Sequence, residues 1–246
     1  MIIDAHHHAG KSAISGSDIP TEKLIAAMDR SGIDKAIVQP HPKPVMSVVR
    51  VHDYIAEQTI KYKGRILGLA SINPHEGTEF YSREAERCIR ELGFLGLKLH
   101  PSTHLSPINS QTSDIVFQTA QRLGVPVMIH TGVGVPFTMP CLVIPRARSF
   151  PDVRIVLAHA GNSDFGEEAL IVAREFENIY LETSWNTVSW IQKFITSLGA
   201  QRVMMGSDLP TNIMPELAKY QSIDISESDR TAALSLTAAA VFGIDL

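Results

Sequence analysis

The chain opens on Asp4-Ala5-His6-His7-His8, a run of residue types that suits a transition-metal site. Met1, Ile2 and Ile3 before it read as the start of a buried strand. Side chains two apart on a strand share a face. Asp4, His6 and His8 are therefore expected on one side, with His7 on the other. Two imidazoles on one face at the end of a rigid strand supply half of a metal site. A tag remnant or a His-rich surface patch is the alternative, but a tag is normally longer and does not follow an apolar strand opening at residue 1. The other ligands must come from elsewhere. Further candidates close later apolar runs: Lys98 and His100 in Leu95–His100, His130 after Val125–Ile129, His159 after Arg154–Ala158, and Asp208 after Val203–Ser207.

Eight short apolar runs are read as the elements that position these residues. They are Met1–Ala5, Lys35–Gln39, Ile66–Ile72, Phe94–Leu99, Val125–Ile129, Val153–Ala158, Asn178–Glu182 and Arg202–Gly206. Each is rich in Val, Ile or Leu and bounded by Gly, Pro, Asn or Ser, the pattern of buried parallel strands. Amphipathic stretches lie between them, with Leu24, Ile25 and Met28 before Gly32, and Phe80, Ala85, Cys88, Ile89 and Leu92 before Gly93. Ile115, Val116, Ala120 and Leu123 precede Gly124, and Val188, Ile191, Ile195 and Leu198 precede Gly199. A glycine just past each stripe fits a helix C-terminus. An alanine-rich closing helix is expected over Ser226–Phe242.

Strands alternating with helices argue for an α/β protein, a (β/α)8 barrel in one compact domain over residues 1–246. A doubly wound open sheet fits less well, because three histidines stand where a Gly-rich dinucleotide loop would follow the first strand. The 246 residues are 44% hydrophobic with a net charge of −4 and no basic run, which argues against nucleic-acid or acidic-membrane partners. No segment reads as membrane-spanning or as a signal peptide. Cys88 and Cys141 form no CxxC, Cys88 reads as a buried thiol, and a reducing cytoplasm is the expected location.

Catalytic side chains of such a barrel project from the C-terminal ends of its strands. His6 and His8, Lys98 and His100, His130, His159 and Asp208 then converge on one mouth, where they can surround a single ion. With these residues in place the chain resembles the amidohydrolase superfamily. Its amidohydrolase-related branch, home of aminocarboxymuconate-semialdehyde decarboxylase-like and related metal-dependent enzymes, is the nearest in pattern. The matching segments run through the whole chain in order: Asp4–His8, Gly96-Leu97-Lys98-Leu99-His100-Pro101, Met128–Gly132, Phe150-Pro151 with Val156–Gly161, Gly206–Pro210 and Ala238–Ile244. Thr237 departs from the Asn usual in the closing helix.

The resemblance implies that His6, His8, His130 and Asp208 ligate one divalent cation, most often zinc, with manganese as the alternative. It places His159 beside the metal-bound water as an acid/base group, and it implies a homodimer. Neutral imidazoles with a carboxylate suit zinc. An open position would hold water of pKa near 7, with Asp208 and His159 as the proton-handling catalytic pair. The bland readings are a strand-end histidine for His159 and a helix N-cap ahead of Pro210 for Asp208. Asp4 is expected to support the ligands from one pleat deeper.

Lys98 stays open between contact with substrate or metal water, which is favoured, a carboxylated lysine bridging two metals, and an ion pair with Asp208 or Glu182. His100 is a candidate substrate ligand. Trp185 reads equally as a pocket wall or as packing. His41 borders the mouth or is a surface group, and His52, His75 and His104 are background. Arg146 and Arg148 read as a solvated helix face ahead of an anion site.

The leading functional expectation is a hydrolase that opens an amide, cyclic amide or lactone of a small metabolite with metal-activated water. Non-oxidative decarboxylation of an aromatic or unsaturated acid uses the same ligands and is the second reading. A non-catalytic binding barrel is the third.

Overall fold

The computed structural model describes residues 1–13 and 16–246. Its strands are β1 (Ile3–Lys11), β2 (Asp18–Ile19), β3 (Lys35–Pro40), β4 (Ile66–Gly68), β5 (Leu97–Leu99), β6 (Val127–His130), β7 (Ile155–Ala158), β8 (Ile179–Glu182) and β9 (Val203–Met204). Each of the eight apolar runs forms a strand. β2 is additional: it folds back on the outer end of β1, pairing Gly10 with Ile19 and Lys11 with Asp18. Two residues carry no periodic signal, so the sequence pattern does not show it.

Helices cover the outside: α1 (Thr21–Ser31), α2 (Val48–Lys61), α3 (Thr78–Arg90), α4 (Asp114–Leu123), α5 (Ile144–Ser149), α6 (Gly166–Glu175), α7 (Val188–Leu198), α8 (Ile213–Ser222), α9 (Glu227–Thr231) and α10 (Thr237–Phe242). α4 ends on Gly124 at φ 69° and ψ 30°, the left-handed conformation that costs glycine least. The segment expected as one closing helix is α9 and α10 joined by a π-helical turn over Ala232–Leu236. Thr237 donates its hydroxyl to the Ala200 carbonyl at 2.8 Å.

β1, β3 and β4 pair in parallel, and β5 to β9 form a second parallel sheet. Single parallel bridges join the sheets at both seams, Ala70 with Leu97 and His7 with Asp208. The Lys98 N–H donates to Ala70 O at 2.7 Å, and the Asp208 N–H donates to His6 O at 2.8 Å. The eight parallel strands thus make a TIM barrel.

An inner apolar layer of Ile3, Ala5, Ile37, Leu69, Met128, Val156 and Met204 fills the barrel, and Ala238, Val241 and Phe242 of α10 pack beneath it. A larger outer layer, including Leu97, Leu99, Ile129, Leu157 and Leu181, packs against the helices. Fully burying one such side chain contributes roughly 1.5–3 kcal/mol. One pleat toward the C-terminal mouth the inward positions turn polar: Gln39 follows Ile37, His130 follows Met128, and Glu182 follows Tyr180.

One expectation about β1 is corrected. Ile3 and Ala5 belong to the inner layer, so Asp4 between them faces away. A register shift between Asp4 and His7, one extra residue on β1, breaks the strict alternation. Asp4, His6 and His8 therefore do not share one face. The bulge is what lets His6 and His8 reach the mouth above an apolar floor. Among the described residues no helix is long and apolar enough to cross a membrane.

Candidate metal centre

His6 and His8 arrive from β1 and Asp208 from the turn after β9. His8 Nε2 lies 3.2 Å from Asp208 Oδ1, and His6 Nε2 lies 3.7 Å from the same oxygen. The other ring nitrogens fix the tautomers. His6 Nδ1 is 2.7 Å from Glu182 Oε2, and His8 Nδ1 is 3.1 Å from Pro40 O. Each Nδ1 therefore donates, and each Nε2 turns a lone pair toward Asp208. Two lone pairs and a carboxylate oxygen repel one another unless a cation sits among them. The Lys98 ammonium, 3.2 Å from His6 Nε2, serves in part; a divalent ion fits the whole set. This donor chemistry matches a hard or borderline metal. Burial and the neighbouring Lys98 push His6 well below its ordinary pKa, the neutral form a ligand needs. Burial opposes ionisation of Asp208, but His8, His6 and His159 outweigh it and hold the carboxyl well below the usual range.

Glu182 is the hub that positions this arrangement. Besides His6, its Oε2 accepts from the His159 N–H at 3.1 Å and from Ser184 Oγ at 3.0 Å, and its Oε1 accepts from the Ser184 N–H at 2.5 Å. A Cβ at Gly206 would stand 2.5 Å from Glu182 Oε1 and 2.8 Å from the His6 Cβ. Glycine there is what allows the His6–Glu182 contact. Asp4 is fully buried and accepts from the Ser207 N–H at 2.9 Å, from Ser207 Oγ and from the His6 N–H at 3.2 Å. It ties β1 to the turn that carries Asp208. Burial raises its pKa to about 7 against those hydrogen bonds.

At the mouth, the non-glycine residues His159, Asn162, Trp185 and Asp208 hold positive φ, at 65°, 55°, 67° and 69°. Such backbone costs on the order of 1–2 kcal/mol per residue and clusters where function demands it. His159 Nδ1 bonds Ser184 Oγ at 2.8 Å, and that hydroxyl donates onward to Glu182. His159 therefore carries its lone pair on Nε2, and burial lowers its pKa to about 4. The Trp185 indole N–H donates to Asp208 Oδ2 at 2.8 Å, leaving Oδ1 for the histidines. A cavity of about 390 Å³ opens here, lined by His130, Val133, His159, Asn162, Trp185 and Asp208.

The other expected residues fall into place unevenly. His6, His8 and Asp208 form one compact donor group, and His6, His159 and Glu182 form another. His130 joins neither. Its Nε2 is 2.7 Å from Val133 O, and its ring stacks on His100 at 4.0 Å. Its Nδ1 is left with a lone pair. His100 is 8% exposed and bonds Ser102 Oγ through Nδ1 at 3.2 Å. Lys98 Nζ stands 3.2 Å from His6 Nε2, and among the described residues no carboxylate pairs with it within 4.0 Å. Burial lowers its pKa to about 8, with Asp208 and Glu182 opposing. Arg146 pairs with Asp114 at 2.7 Å and bonds the Ile108 and Ser110 carbonyls, away from the mouth.

Glu182 and Gln39 are the residues that sequence reasoning passed over as site groups. Their only signal is a polar side chain at the inward C-terminal position of an otherwise apolar strand. Gln39 Nε2 lies 3.4 Å from His8 Nε2.

The chain is 23% identical to gamma-resorcylate decarboxylase of Polaromonas sp. (strain JS666 / ATCC BAA-500), over 85% of this chain and 83% of that one. It is 25% identical to 2-amino-3-carboxymuconate-6-semialdehyde decarboxylase of Dictyostelium discoideum, over 79% of this chain and 66% of that one. Among solved structures, a dihydroxybenzoic acid decarboxylase from Polaromonas sp. JS666, with bound manganese and the inhibitor 2-nitroresorcinol, superposes with a TM-score of 0.78. The identity is 20%, covering 99% of this chain and 97% of that one. These relatives are decarboxylases and overturn the leading expectation of a hydrolase; residue types alone do not separate the two reactions. A family model described as Amidohydrolase matches residues 3–244, and the chain belongs to that family of enzymes.

Proposed function

We propose that this protein is a metal-dependent, non-oxidative decarboxylase of a ring-hydroxylated aromatic carboxylic acid, with manganese as the resident ion. One observation carries the choice of reaction: the relatives that align over most of both chains are decarboxylases. Manganese rather than the expected zinc is favoured by the ion bound in the Polaromonas neighbour.

His6 Nε2, His8 Nε2 and Asp208 Oδ1 would hold the ion, with His130 Nδ1 as the fourth donor. When bound, the ion offsets the negative charge of the substrate's oxygens and orients the acid. Trp185 and Val133 wall the ring in the cavity. Lys98 and His100 stand behind the metal ligands, where the buried ammonium opposes the charge of a bound carboxylate. A proton taken up from solvent is relayed through His159 Nε2, beside Asp208 at the cavity wall, to the ring carbon that bears the carboxylate. The carbon–carbon bond then breaks, its electron pair returns to the ring, and CO2 leaves. One proton is consumed and no oxidant is needed. Ser184 and Glu182 hold His159 in the tautomer that presents Nε2.

The test is CO2 release from gamma-resorcylate by manganese-reconstituted protein, with benzoate and a lactone panel alongside. Turnover of the hydroxylated acid, abolished by a chelator and restored by manganese, is expected. Fully metallated protein that releases no CO2 from any hydroxybenzoate would refute the proposal.

A further inference from the structure

Gln39 closes β3 on the inward face, one pleat above Ile37. Its side chain is fully buried. Nε2 lies 3.4 Å from His8 Nε2, and Oε1 is buried with no hydrogen-bond partner. Because Pro40 O takes the His8 Nδ1 proton, His8 Nε2 carries a lone pair. The Gln39 amide and Asp208 Oδ1, at 3.4 Å and 3.2 Å, stand before that one nitrogen. Neighbouring donors around a six-coordinate ion with bonds of about 2.1 Å lie roughly 3 Å apart.

We infer that Gln39 is an additional oxygen donor to the metal centre, directly or through a bound water, and biases it toward a hard, high-coordinate ion such as manganese over zinc. The inference rests on the metal centre of the proposed function. As oriented, the amide gives its N–H to the lone pair that an ion would take. With an ion there, both ends of a fully buried amide lose their partners and the N–H bonds face a cation, an arrangement that costs what lost hydrogen bonds cost. Rotation about the last side-chain torsion exchanges the two ends. Oxygen then faces the ion and only the amino end is left over. Zinc is satisfied by four donors in a tetrahedron, and the set of the proposed function, His6, His8 and Asp208 with His130 added, already numbers four. A fifth, neutral oxygen adds most to an ion that prefers oxygen-rich octahedral surroundings.

The test is equilibrium competition of manganese and of zinc, each alone, against a chelating indicator, in wild type, Gln39→Leu and Gln39→Glu. Gln39→Leu is expected to weaken manganese binding about tenfold and zinc binding much less, shifting the affinity ratio by close to that factor. Gln39→Glu keeps an oxygen and adds charge, so it is expected to bind manganese at least as tightly as wild type. An unchanged ratio in Gln39→Leu, an equal loss of both ions, or weaker manganese binding by Gln39→Glu overturns the inference. If Gln39→Leu does not fold, the Gln39→Glu arm decides alone. Wild-type protein that takes up neither ion would sink the metal centre itself, a separate outcome.

Discussion

Two buried histidine–glutamate pairs in this molecule share a bond and differ in everything beyond it. His6 Nδ1 meets Glu182 at 2.7 Å at the barrel mouth, and His52 Nδ1 meets Glu84 at 2.7 Å between α2 and α3. Around His52 every group is consumed. The Ser71 N–H donates to its Nε2 at 3.1 Å, Arg87 grips both Glu84 oxygens at 2.8 and 2.9 Å, and Phe94 meets its ring edge-on. Around His6 the Nε2 lone pair faces Asp208 and Lys98 beside an open cavity. A carboxylate behind an imidazole orients it in either place; a second nitrogen turned toward charged side chains at a cavity, rather than capped by a backbone N–H, is what marks the chemical site.

The comparison breaks most sharply at Asp208. Asp208→Ala removes the one anionic ligand of the proposed centre, so metal content should fall well below stoichiometric and CO2 release should drop by about 10³-fold or more. Its thermal midpoint with metal removed should stay close to that of wild type. Glu84→Ala should do the reverse. It leaves His52 and Arg87 without their shared carboxylate, costing about 3 kcal/mol, which in a chain of this size is a fall of about 10 °C. Metal content by elemental analysis should not change. If Glu84→Ala also loses metal, the two regions are coupled and the distinction fails.

How much of this was legible in the sequence follows from which physical signals are local. The eight strands were, because a buried parallel strand must be a short apolar run between breakers, and Val125–Ile129 or Val153–Ala158 allow no other reading. His6, His8, His130, His159 and Asp208 were also legible as strand-end residues. The bulge in β1 was not. It depends on pairing with β3, so simple alternation put Asp4 on the wrong face. Glu182 was visible only as an acidic strand end, since its value comes from partners 176 and 23 residues away, His6 and His159. His52 and Glu84 were equally silent. Nothing in single residues distinguishes a satisfied histidine from a ligand, and the partners that decide it come from Ser71 and α3.

Glu182→Gln sharpens the comparison at intermediate size. The shape is kept, but the anion that holds the His6 Nδ1 proton is lost. Metal affinity should weaken about 10- to 100-fold, as for other partners behind metal-bound histidines. The buried amide also meets Ser184 and the His159 N–H less well, so some thermal stability should go with it. Titration with manganese reads the first effect directly. Unchanged affinity would show that the pair at the mouth is as purely structural as the one at His52.

The smallest effect concerns acid. Burial by itself raises the Glu84 carboxyl, but bonds from His52 and Arg87 outweigh it and bring the carboxyl from 4.5 down to about 2. Burial also lowers His52 from 6.5, against the pull of Glu84. Both shifts have the same sign in stability. As pH falls below 6.5 and then 4.5, the unfolded chain binds protons that the folded one refuses, so stability present at neutral pH drains away toward pH 2. In Glu84→Gln the carboxyl step is absent. The thermal advantage of wild type over Glu84→Gln should therefore shrink by a few degrees between pH 4.5 and pH 2.5, measured on metal-free protein so that ligand protonation does not contribute. Parallel melting curves across that range would mean that Glu84 is not held ionised by His52 and Arg87. The fully satisfied pair would then be no better paired than the one left open for an ion.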